Sequence, residues 1–220
     1  MLERNPYLVN KAFRTYLVAT VLASMALSLG VVIDGVIVGN LLGPNSLSAI
    51  NLTSPLIQLL SAITVLINVG GATLAAIFIG RGKTEDASRI FTTSVVINLI
   101  VGVVITVLGT VFIDEIVSVL CSDASLAPLV KDYASVVLIS SLLYMLLPGI
   151  CVFVRTDSNP KLATAALVIA NIVNLGLDIV FIEFMNLGVG SSALATSLGY
   201  LVGVCILLIH VTKKERVFRF

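Results

Sequence analysis

The chain has 220 residues, of which 58% are hydrophobic and only 11% charged, with a formal net charge of +1 and a mean hydropathy of +1.13. Soluble domains carry roughly a quarter charged residues, so there are too few charges here to cover a water-facing surface, and the solvent this sequence suits is lipid. A charge this close to neutral also excludes the basic footprint that nucleic acid requires.

A helix of about 20 apolar residues crosses the hydrocarbon core. The first such run, 16–39, follows Arg4, Lys11 and Arg14. It is too long for the roughly 7–15-residue apolar region of a signal peptide, so it reads as a retained span. Further runs lie at 52–79, 90–112, 132–154, 162–184 and 192–211. The segments between them, LGPNSLS, RGKTEDASR, IDEIVSVLCSDASLAPLVK, RTDSNPK and NLGVGSS, are polar or rich in turn formers,. Pro160 suits the first position of the fifth helix, where its missing N–H costs nothing. Pro55 and Pro148 fall inside spans, and each is a candidate kink, either a hinge or fixed shape. Gly35 and Gly39 in the first span, and Gly199 and Gly203 in the sixth, have the G-x-x-x-G spacing that permits close helix contact. The expected fold is an all-α integral membrane protein, a bundle of six transmembrane helices.

Positive charge sorts between the loops. Arg4, Lys11 and Arg14, then Arg81, Lys83 and Arg89, then Arg155 and Lys161, then Lys213, Lys214, Arg216 and Arg219 all fall on one side, and Lys131 alone falls on the other. The positive-inside rule places that basic side, with both termini, in the cytoplasm.

Two carboxylates interrupt apolar runs, Asp34 in LGVVIDGVIVGN and Asp178 in NIVNLGLDIVF. Each costs about 3 kcal/mol on insertion scales. At 1.5 Å per residue Asp34 lies roughly 27 Å along the first helix and Asp178 roughly 25 Å along the fifth. Thr196 is about two turns from the outer end of the sixth, so all three share a layer. Asn174 shares a face with Asp178, four residues on. Two carboxylates, an amide oxygen and a hydroxyl suit a small hard cation. They suit a proton equally, because low dielectric favours the neutral acid and neighbouring carboxylates disfavour double ionisation. The structural alternative is a hydrogen-bonded lock for the bundle. Asn68, Asn98 and Asn171 read as amides bridging helices, and Glu183 and His210 read as interfacial.

Cys121, Cys151 and Cys205 show no metal spacing and read as small hydrophobes. There is one histidine and no G-x-S-x-G, and the glycines of NVGGATL and NLGVGSS lack the lysine of a phosphate-cradling loop,. The chain therefore reads as a non-enzyme with no organic cofactor.

The stretches VIDGVIVGNLLGPNSLSAIN, NVGGATLAAIFIGRGKTEDASR, RTDSNPKLATAALVIANIVNLGLDIVFI and GVGSSALATSLGY, in that order, resemble the N-terminal half of multidrug and toxic compound extrusion (MATE) transporters. The resemblance implies one six-helix lobe of a twelve-helix fold in the cell membrane. It implies export of organic cations and other drugs in exchange for Na⁺ or H⁺. It also implies an ion site in this lobe at Asp34, Asn174, Asp178 and Thr196, with Tyr133 in the same network. The second six-helix lobe is not in this sequence, so the chain is expected to carry the ion site without the cavity's second wall, as a fragment, a truncated product or one half of a pair. Two other readings are a flippase of lipid-linked saccharides, which would call for a basic rather than an acidic cavity, and a non-transporting membrane module.

Overall fold

Pro44 and Pro160 are among the prolines that open helices in the structure. The ring fixes φ near its helical value, and the N–H that proline lacks would have no partner in a first turn. At Pro160 the preceding Asn159 accepts the backbone N–H of Leu162 at 3.3 Å, a side-chain cap of the usual kind. The computed structural model describes residues 6–211 and 217–218, without several side chains in 6–27 and those of 210 and 211. Arg4, Lys213, Lys214, Arg216 and Arg219, and the side chains of Lys11 and His210, lie outside the described residues.

The described residues form eight α-helices: α1 (Pro6–Leu41), α2 (Pro44–Gly80), α3 (Thr84–Val111), α4 (Ile113–Leu120), α5 (Ala127–Ile139), α6 (Ser141–Thr156), α7 (Pro160–Ile179) and α8 (Gly190–Val211). Helices α2, α3, α7 and α8 are each long and apolar enough to cross a membrane, and α5 with α6 makes a fifth span bent by 52°. The outward surface of the bundle is apolar, as with Leu66 of α2 at 78% and Val31 of α1 at 73% exposure. That fits a helical membrane bundle with lipid on its outside.

The structure departs from the sequence reading at several places. The fourth span breaks at Ser140, not at Pro148, which lies inside α6. Thr106 of α3 covers the break by donating its hydroxyl to the Leu138 carbonyl at 2.9 Å, beside the Ser141 hydroxyl at 3.0 Å. A neighbouring hydroxyl of this kind is what lets an interrupted helix survive in lipid. The segment after α3 is not wholly loop, since it contains α4, which buries Val117 against Ala49, Cys121 and Val130. Lys131, the one basic residue sorted to that side, pairs with Asp114 of α4. Finally, α7 widens into a π-turn at Val180–Phe184, directly after Asp178, with the Met185 N–H on the Val180 carbonyl. Cys205 is exposed rather than packed inside.

The intramembrane amides divide. Asn68 and Asn98 bond each other reciprocally at 3.3 and 2.8 Å, and each also bonds the backbone carbonyl four residues earlier. They tie α2 to α3. Asn171 forms no such bridge among the described residues: its amide nitrogen has no partner and faces Gly30 of α1.

The core at the end that carries the 81–89 and 155–161 loops is built on three phenylalanines. Phe91 and Phe153 meet edge to face at 5.2 Å, and Phe218 closes on them at 5.6 and 5.4 Å. Phe218 is 2% exposed although it lies beyond α8, and the preceding Val217 N–H reaches the Asp157 carboxylate at 3.4 Å.

Candidate ion-coupling site

The site forms where α1, α7 and α8 meet. Helices α7 and α8 approach closely because glycine allows it. A Cβ on Gly199 would stand 2.4 Å from the Ala170 carbonyl oxygen, and one on Gly203 would stand 3.3 Å from that of Ala166 and 2.7 Å from Leu147. Gly35 and Gly39 carry the same spacing but would meet only Leu47 side-chain carbons, at 3.8 and 3.5 Å. Of the two G-x-x-x-G motifs, only that of α8 is a backbone contact.

That contact sets Thr196 against α7. Asn174 donates its amide to Asp178 Oδ2 at 3.0 Å and to Thr196 Oγ1 at 3.1 Å. Asp178 is fully buried. Its Oδ1 has no hydrogen-bond partner, and its carboxyl is within hydrogen-bonding reach of that of Asp34 on α1. The structure thus brings Asp34, Asn174, Asp178 and Thr196 together. It also puts Tyr133 of α5, 4% exposed, within electrostatic range of both carboxyls.

Two residues at the site were absent from the sequence reading. Ser192 donates to Asp34 Oδ1 at 3.4 Å, and its carbonyl accepts the Thr196 hydroxyl at 3.1 Å. Its spacing of four from Thr196 on one helix is a signal the sequence held. Tyr144 of α6 sends its hydroxyl against Thr196 and packs its ring, tilted by 59°, on that of Tyr200 with centroids 5.2 Å apart. No sequence signal marks it, because its position depends on the bend at Ser140.

Chemically this is a cluster of hard oxygen donors, two of them carboxyls, with a carboxylate oxygen that no protein donor satisfies. Such oxygens suit alkali and alkaline-earth cations or a proton, and do not suit soft metals. Among the described residues no group of three or more His, Cys, Asp or Glu side chains could hold a metal ion, so a cation here would need the amide and hydroxyl oxygens as well.

Known proteins share this architecture. The chain is 25% identical over 183 residues to the multidrug export protein MepA of Staphylococcus haemolyticus (strain JCSC1435), a match covering 83% of this chain and 40% of that protein. A structure described as the inward-facing conformation of a multidrug resistance MATE family transporter of the MOP superfamily superposes with a TM-score of 0.80 at 26% identity, covering 87% of this chain and 43% of the other. Its outward-facing counterpart gives 0.83 at 26% identity, covering 90% and 44%. The chain spans less than half the length of these relatives. The family profile described as MatE matches residues 11–180, most of the sequence, and the chain accordingly belongs to the MatE family.

Proposed function

We propose that this chain is the N-terminal half of a secondary active multidrug exporter of the cell membrane, and that Asp34, Asn174, Asp178 and Thr196 form its Na⁺- or H⁺-coupling site with Tyr133 alongside. The observation that carries the reading is the carboxyl pair of fully buried Asp178 and half-buried Asp34, with Asp178 Oδ1 making no hydrogen bond. An ionisable group inside a membrane is costly and marks function by default, and a lock built only for stability would satisfy both oxygens. Exchange needs the ion and the drug to favour different conformations, so each must bind one state better. A carboxyl pair neutralised by Na⁺ or H⁺ in one state and charged in the other supplies that difference.

The acidic lobe favours organic cations as substrates, since opposite charge and apolar walls both contribute. A second six-helix lobe completes the cavity. The acidic site favours this reading over a flippase for lipid-linked saccharides. The test is efflux of a cationic dye from vesicles holding the complete protein, under imposed Na⁺ or pH gradients. The expected result is efflux driven by one of the two gradients. Export of anionic compounds only, or efflux indifferent to both gradients, would overturn the reading.

Orientation belongs to the same proposal. With the 81–89 loop in the cytoplasm, a cysteine replacing exposed Ser125 is expected to react with a membrane-impermeant label from outside, and one replacing exposed Thr84 is not. External labelling at 84 reverses the topology.

A further inference from the structure

Tyr144 is buried, 8% exposed, and its hydroxyl makes no hydrogen bond. A hydroxyl shielded from water without an acceptor is costly, so the position needs a reason. The hydroxyl lies against Thr196. A threonine hydroxyl has one proton and two lone pairs. The Thr196 proton goes to the Ser192 carbonyl, and one lone pair takes the Asn174 amide. One acceptor position of Thr196 is therefore open, and Tyr144 is the donor beside it. The charged and titratable groups around this point are Asp34 of α1, Asp178 of α7, Tyr133 of α5 and Tyr200 of α8.

We propose that Tyr144 is a positioning residue that competes with a metal cation for the last lone pair of Thr196. With the cation absent, the Tyr144 hydroxyl, which lies beside Thr196 without bonding it here, turns onto Thr196 Oγ1 and steadies the site. A cation drawn by the two carboxyls takes that lone pair and displaces the tyrosine. Because Tyr144 lies on the first turn of α6, next to the break at Ser140, the competition ties occupancy of the α7–α8 site to the bent span. This rests on the coupling reading above and names a residue outside the set given there.

The test is Na⁺-dependent thermal stability of the whole chain in lipid nanodiscs, for wild type, Tyr144→Phe and Asp178→Asn, with a parallel pH titration. Tyr144→Phe keeps the ring and its packing on Tyr200 while deleting the donor. It is expected to lower the Na⁺ midpoint roughly three- to tenfold, the worth of one net hydrogen bond. Replacing Tyr144 with 3-fluorotyrosine, a stronger donor of nearly the same shape, is expected to raise it, which keeps the test open should the phenylalanine variant fold poorly. An unchanged or higher midpoint in Tyr144→Phe overturns the competition and leaves the coupling site standing. So does a wild type that responds to pH but not Na⁺, with the response lost in Asp178→Asn. A wild type with neither response, or responses untouched by Asp178→Asn, removes the coupling reading and this inference with it.

Discussion

Asp178→Asn in the complete transporter is expected to end ion-driven efflux while leaving the fold intact or firmer. The substitution keeps size and shape, and it removes the ionisable carboxyl that lies against Asp34. Asn174 stays in place, its second amide hydrogen still on Thr196, and the new amide can donate to Asp34 where Asp178 Oδ1 had no donor. The insertion cost of about 3 kcal/mol is relieved. On the coupling role proposed above, what disappears is a group whose charge changes on binding, and with it the differential affinity that would link ion to drug. A coupling of about 1–3 kcal/mol corresponds to a loss of roughly 5- to 150-fold. Melting temperature in detergent and efflux in vesicles, taken from one preparation, check both halves. A drop in stability with normal efflux per folded molecule would show that the carboxyl is a structural lock.

Gly199→Ala is expected to be the most damaging small substitution in α8. In an ordinary helix the added methyl helps by roughly 0.5–1 kcal/mol. Here it would be forced to within 2.4 Å of the Ala170 carbonyl oxygen and 3.2 Å of Asn174 Cβ. Those atoms belong to α7 backbone and to a residue of the site, so neither yields without the helices parting. Overpacking of this kind costs about 1–3 kcal/mol, which exceeds the helical gain. Parting α7 from α8 also stretches the 3.1 Å contact between Asn174 and Thr196, so Na⁺ or pH sensitivity is expected to weaken along with stability. Gly35→Ala is the control, since its nearest neighbour is a flexible Leu47 carbon at 3.8 Å, and a change within about 0.5 kcal/mol is expected. Equal melting temperatures for the two variants would show that the α7–α8 contact is not what fixes the site.

The same pair of motifs shows what a sequence can and cannot carry. Asp34 and Asp178 were legible because a charge in hydrocarbon stands out, and because a fixed rise per residue converts position into depth. Gly199 and Gly35 were indistinguishable, since spacing says that a helix can be approached closely and not whether another helix comes. The break at Ser140 was hidden for a related reason. Proline announces a kink, serine does not, and the hydroxyl that makes the break tolerable sits on α3, 34 residues away at Thr106. Ser192 had the right spacing but an ordinary identity, because hydroxyls are common in membrane helices. Tyr144 was illegible outright: its closeness to Thr196 arises only once the bent span has wrapped around α8.

The docking of Phe218 has a mechanical consequence. Six residues of chain separate it from the end of α8 at Val211, a tether that reaches at most roughly 25 Å. A load on the chain beyond residue 218 meets the Phe91–Phe153 ring pair and the Asp157 carboxylate before it can be felt at α8. The aromatic cluster acts as a cable clamp. Tugging on the tail is borne by α3 and α6, and the helix that holds Thr196 is relieved of the strain.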